Sequence, residues 1–143
     1  MSHGARMNVK LVLDTCAMRD RDFIQWLTQR KSGEVCLPSV AYMELYRQTI
    51  AGKRSTVDLS ELLKKCNIKI LPFEKREAEI AAEFMSRSAK VCPACNKLDW
   101  TDTMIYACVG NPPTVFVTDN VSDFPTEFGD YIMRPSDVIR KMD

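Results

Sequence analysis

Four short runs rich in aliphatic residues constrain this chain more than any other feature. They are VKLVL (residues 9–13), EVCL (34–37), IKIL (68–71) and TVFVT (114–118), and each stops at a proline or at polar and acidic residues. Strand-length apolar runs bounded in this way read as buried β-strands. The stretches between them carry apolar residues at helical spacing. One helix is expected from about 19 to 30, built on Phe23, Ile24 and Leu27, and another to about 50 with Ser39 as its N-cap. Further helices are expected over 55–65, 74–89 and about 99–109, the last capped by Asp99. Residues 131–133 fit a last edge strand, and Pro135 opens a C-terminal helix at a position proline tolerates. Alternation of this kind requires crossover connections. The expected fold is therefore α/β: three-layer α/β/α, with a mainly parallel sheet of roughly five strands. Residues 8–143 are expected to form one domain, and residues 1–7 read as a leader or an expression scar without ordered structure.

Charge and histidine content narrow the chemistry. Twenty Lys and Arg against nineteen Asp and Glu leave a net charge of +1, so contact with a polyanion has to be local. The single histidine is His3. A histidine base, histidine zinc ligation and a Ser-His-Asp triad therefore lack a supplier. No apolar run approaches the roughly 18–20 residues of a spanning helix, and the opening MSHGARM has no apolar leader segment. A cytoplasmic location without membrane contact is expected. Cys16, Cys36, Cys66 and Cys108 stand among apolar neighbours and are expected to be small buried hydrophobes. Cys92 and Cys95 form CPAC, half of a tetrahedral zinc site with no second half in the chain. The pair reads as a disulfide, a thiol pair or half of a metal site shared across a dimer; a structural or incidental role is favoured over redox catalysis, and zinc is a minor option.

In open parallel sheets, function collects outside the carboxyl ends of the strands. Asp14 ends the first run, and Asp119 and Asp123 follow the last. Glu44, in SVAYMELY, and Asp102, in DWTDTMIYA, sit inside otherwise apolar helical stretches, where a carboxylate is costly to bury without a partner. Brought together, such acids repel one another. Mg²⁺ or Mn²⁺ removes the conflict, because it accepts carboxylate and water oxygens and lowers the pKa of bound water. Each acid also has an ordinary explanation. Asp14 and Asp123 are plausible turn residues, Glu44 a solvated helix-face residue, and Asp99 and Asp102 helix-start residues.

In order, VLDT, the acid within SVAYMELY, DTMIYA and VTDNVSDF resemble the PIN-domain ribonucleases, which include the toxins of VapBC toxin–antitoxin pairs. The resemblance runs from Asn8 to the C-terminus and is most specific in its final pair of motifs. It implies a divalent-metal-dependent endoribonuclease with Asp14, Glu44, Asp102 and Asp123 as the catalytic set. Metal ligands fall on Asp14, Glu44 and Asp102, completed by Asp123 or Asn120 ahead of Asp119. Thr15, Thr118 and Asp99 line the site. The bound ions supply the attacking water and stabilise the leaving oxygen, so no protein nucleophile is required. RNA lies along Arg19, Arg21, Arg47, Lys53, Arg54 and Lys97, and its binding is salt-sensitive. The resemblance further implies a small antitoxin partner that blocks the crevice with a basic residue, and a homodimer. Tyr42, Tyr46, Trp100 and Tyr106 are expected in the core rather than as base-stacking platforms. The chain departs from the family in its CPAC insert and in carrying Asn at position 120, which weakens a second metal site.

Other function classes compete. A PIN-like module that binds RNA or protein without cutting needs the same fold but no metal chemistry, and a housekeeping RNA-processing nuclease needs no antitoxin. A haloacid-dehalogenase-type phosphotransferase requires a second aspartate where Cys16 stands. A thiol-redox protein requires Cys92 and Cys95 to cycle.

Overall fold

The computed structural model describes residues 9–30, 33–91, 100–110, 114–124 and 131–142, without the side chains of Asp123 and of residues 87–91. The expectations for residues 1–7, Cys92, Cys95, Lys97 and Asp99 lie outside the described residues. β1 (Lys10–Leu13) leads through a 3-10 turn (Thr15–Arg19) into α1 (Arg21–Gln29). β2 (Val35–Pro38) is followed by α2 (Ser39–Ala51) and α3 (Thr56–Lys65), and β3 (Ile68–Leu71) by α4 (Lys75–Val91) and α5 (Trp100–Tyr106). β4 (Thr114–Val117) runs into a second 3-10 turn (Val121–Asp123), and β5 (Ile132–Met133) precedes α6 (Pro135–Met142).

The sheet order is β3-β2-β1-β4-β5, and every neighbouring pair is parallel. The chain steps outward from β1 to β3, then crosses back to place β4 against the other side of β1. Connections thus leave β1 and β4 in opposite directions, which makes the carboxyl ends of this strand pair the topological switch point of the sheet. The right-handed rule for parallel crossovers assigns α1 and α3 to one face and α4 and α5 to the other. Within these layers α1 packs against α6, and α4 against α5. The fold is the expected three-layer α/β/α.

Strands covered on both faces are apolar throughout rather than alternating, which is why VKLVL and TVFVT were readable as strands. Val12, Leu13, Leu37, Phe116 and Val117 are fully buried. β3, at the edge, exposes Lys69 and Ile70. Phe116 and Phe124 meet edge-to-face with centroids 5.0 Å apart, and Tyr106 lies 5.2 Å from Phe124. Arg30 ties two helix ends together: its guanidinium donates to the carbonyls of Leu27 and Cys66, both at 2.7 Å.

Several local expectations are corrected. The first helix starts at Arg21, two residues after the expected start: a 3-10 turn comes first, and Asp20 caps α1 by accepting from the Phe23 amide at 3.0 Å. Ser39 is the first residue of α2 rather than its cap, because the cap position falls on Pro38 and carries no side-chain bond. The helix expected to reach residue 109 ends at Tyr106. Tyr106 and Tyr42 pack against the core, but Tyr46 and Trp100 are exposed. Among the described residues, no helix is long and apolar enough to cross a membrane.

Candidate active site

The Asp14 amide donates to the Val117 carbonyl at 2.9 Å, which carries the β1–β4 ladder one residue past Leu13. On the other side of β4, the Thr118 amide donates to the Met133 carbonyl of β5 at 2.9 Å. These bonds set Asp14 and Thr118 side by side at the switch point. Asp14 is only 5% exposed and Thr118 is fully buried. Asp14 Oδ1 accepts from the Thr15 amide at 2.7 Å, so Asp14 also caps the 3-10 turn. Its Oδ2 accepts from the Thr118 hydroxyl at 2.8 Å and faces the Cys16 thiol at 3.7 Å.

The same turn reaches α2. Thr15 is buried, and its hydroxyl donates to Glu44 Oε1 at 2.8 Å. Glu44 is half-buried on a helix whose inner face carries Val40, Ala41 and Leu45, so it is not a freely solvated side chain. Asp102, half-buried, stands in the first turn of α5, which packs against α2. Helix α2 is thus the common neighbour of the Asp14 turn and the Asp102 helix.

Among the described residues, no cationic side chain pairs with Asp14 or Glu44. The donors to Asp14 are an amide, a hydroxyl and a thiol, all neutral. The ion pairs of the described residues engage Lys69, Lys75, Arg76 and Arg140. Burial pushes the Cys16 thiol above its ordinary pKa, and the Asp14 carboxylate adds to the shift. The thiol is therefore a neutral donor near pH 7. Among the described residues, no three His, Cys, Asp or Glu side chains are grouped so that they could hold a metal ion.

Of the residues singled out from sequence, Asp14, Thr15, Glu44 and Thr118 are joined by hydrogen bonds, and Asp102 stands on the adjoining helix. Asp119 and Asn120 are exposed, with their backbone amides turned back into the cluster. Arg19, Arg21, Arg47, Lys53 and Arg54 are all exposed, and none takes part in an ion pair among the described residues. Cys36, Cys66 and Cys108 are buried as expected, but Cys16 is half-exposed and belongs to the cluster. The signal that could have found it is its place two residues after Asp14, on the first turn beyond the strand. A cavity of about 280 Å³ opens between α4, α5 and β4, lined by Arg76, Phe84, Tyr106 and Phe116. It includes none of the clustered acids, which stand at the carboxyl ends of the strands.

The sequence profile of the family described as PIN domain matches residues 11–111. No curated protein matches the chain by sequence. Among solved structures, the chain is similar to FitAcB from Neisseria gonorrhoeae, with 20% identity, a TM-score of 0.67, and coverage of 88% of this chain and 98% of that one. A toxin-antitoxin complex from Klebsiella pneumoniae is similar at 16% identity and a TM-score of 0.64, covering 87% of this chain and 97% of that one. DNA-bound VapBC from Salmonella typhimurium is similar at 20% identity and a TM-score of 0.62, covering 88% and 96% respectively. At these identities the likeness is one of fold.

Proposed function

The chain belongs to the PIN-domain family, and we propose that it is a divalent-metal-dependent endoribonuclease acting as the toxin of a toxin–antitoxin pair. One observation carries the reading. A nine-tenths-buried carboxylate, Asp14, sits at the switch point with neutral donors only and is linked through Thr15 to a second carboxylate, Glu44. A buried negative charge without a countercharge is unfavourable, and a hard cation supplies what the protein does not. The donor set fits Mg²⁺ or Mn²⁺, since it is made of carboxylate oxygens and contains no imidazole. Mg²⁺ ordinarily takes one or two carboxylates and keeps several waters, so Asp14 and Glu44, linked through Thr15, would be its first ligands; Asp102 from the adjoining helix would join them, with Asp123 or Asn120, and then Asp119, as the completing ligand.

When bound, the ion lowers the pKa of water and stabilises charge on phosphate oxygens. The chain's own residues prepare for that. Thr118 and the Thr15 amide hold the Asp14 carboxylate in one orientation, and the Thr15 hydroxyl fixes Glu44. The exposed bases Arg19, Arg21, Arg47, Lys53 and Arg54, with Lys97, give RNA phosphates their contacts, and Asp99 borders the site. Acting on RNA, the protein works in the cytoplasm. The family match together with the β4–β5 half of the sheet supports one domain over residues 8–143.

The complexes among the similar structures support a small antitoxin partner. A homodimer is supported by α2, which is apolar on both sides: Met43, Tyr46 and Ile50 follow one another at helical spacing and are 59%, 38% and 58% exposed.

The test is cleavage of structured RNA with Mn²⁺ and with chelator. The wild type is expected to cut only with the ion, and Asp102→Asn to lose about 100-fold or more while keeping its circular dichroism spectrum. A wild type that binds RNA without cutting it would instead identify a binding module.

A further inference from the structure

Two hydrogen-bonded relays run in parallel from the segment after β4 to the same oxygen. In the first, the Asn120 amide donates to Thr118 Oγ1 at 3.1 Å, and the Thr118 hydroxyl donates to Asp14 Oδ2 at 2.8 Å. In the second, the Asp119 amide donates to Cys16 Sγ at 3.3 Å, and the Cys16 thiol faces Asp14 Oδ2 at 3.7 Å. Sγ and Thr118 Oγ1 also lie 3.7 Å apart. Proton bookkeeping assigns the directions. The Thr118 hydroxyl has one hydrogen, and its 2.8 Å bond to Asp14 uses it. The thiol hydrogen is then free for the carboxylate, leaving the sulfur lone pairs to accept the Asp119 amide.

We propose that Cys16 is a positioning residue of the active site, which fastens the Asp119–Asn120 backbone to Asp14 through its sulfur. The fold makes such a tie useful. Asp119 and Asn120 lie beyond the ladder, after the Thr118 amide has made its bond to Met133, and both are exposed. Their two amides bond to Cys16 and Thr118 rather than to a strand. Cys16 therefore couples the location of the completing ligand candidates to the first carboxylate. The inference rests on the ribonuclease reading for its consequence, but not for its geometry.

The experiment compares Cys16→Ala and Cys16→Ser in the full chain, with amide hydrogen exchange at Asp119 in the absence of metal and Mn²⁺ titration by calorimetry. Cys16→Ala is expected to speed exchange at Asp119 and to weaken Mn²⁺ binding about tenfold, the low end for supports of metal ligands. Cys16→Ser keeps a donor and an acceptor and is expected to restore both readouts to within about threefold of the wild type. Wild-type exchange at Asp119 in Cys16→Ala would overturn the proposal. So would faster exchange in Cys16→Ala, restored by serine, with Mn²⁺ affinity unmoved in either variant. Absence of Mn²⁺ binding in the wild type would contradict the ribonuclease reading instead, while the exchange comparison would still decide whether the sulfur holds the segment.

Discussion

The Thr118 hydroxyl donates to Asp14 Oδ2 at 2.8 Å, joining residues 104 positions apart in the chain. Each stands one residue past the carboxyl end of its strand, β1 or β4, the pair at which the sheet's connections diverge. Removing one partner of a buried hydrogen bond to a charged group leaves the other unsatisfied, a loss of about 1–3 kcal/mol. Thr118→Val is therefore expected to destabilise the fold by that amount in urea unfolding, and Thr118→Ser by much less. Equal stabilities for Val and Thr at this position would contradict the role given to the bond.

Lys53 has φ of +57°, and the turn it occupies closes α2 with the Arg54 amide on the Thr49 carbonyl at 2.9 Å. A left-handed conformation disfavours a residue with Cβ by about 1–2 kcal/mol. Lys53→Gly should raise unfolding stability by about 1 kcal/mol and, if Lys53 contacts phosphate, lower the salt slope of RNA binding by about 0.7. A stabilised variant with an unchanged slope would remove Lys53 from the RNA path.

Burial, with a smaller contribution from the Glu77 charge, pushes the Cys108 thiol from 9.0 up to about 11. The folded state thus holds this proton over a range in which the unfolded chain releases it. Stability linked to the thiol is complete below pH 9 and is lost as pH rises toward 11. The fall in unfolding free energy between pH 8 and 10.5 should be shallower in Cys108→Ala than in the wild type. Parallel falls would place the thiol in a more solvated environment.

Ile50 is 58% exposed on the outer face of α2, in line with Met43 and Tyr46. If that face joins two copies, Ile50→Asp should shift the mass measured by analytical ultracentrifugation from dimer to monomer without a loss of helicity. An unshifted dimer would move the interface elsewhere.

Much of this architecture was legible in the residues. β1, β2 and β4 are interior strands, so their sequences are almost wholly apolar, and the proline or acid closing each one marks the carboxyl-end side of the sheet. Asp14, Thr15, Glu44 and Thr118 were legible for a related reason: polar groups at the end of a buried strand or on a packed helix stand out against what surrounds them. The 3-10 turn over Thr15–Arg19 was not legible, because its residues suit an early helical turn equally well and only Asp20 capping Phe23 separates the two. Cys16 was hidden by its type. A cysteine beside an alanine and a methionine looks like packing, and its role depends on Asp119, more than 100 positions away, which no local pattern reveals. Trp100 and Tyr46 were misplaced because aromatic residues at helical spacing mark a helix face without saying whether that face meets the core, a partner or water.

The most direct test of the central claim is thermal unfolding of the metal-free protein as Mn²⁺ is added, in the wild type and in Asp14→Asn. A cation that binds only the native carboxylate cluster stabilises it by about 2.7 kcal/mol at one hundred times its dissociation constant. The account predicts a melting temperature that climbs with Mn²⁺ in the wild type and stays flat in Asp14→Asn. A wild type indifferent to Mn²⁺, or an Asp14→Asn protein that responds equally, would contradict it.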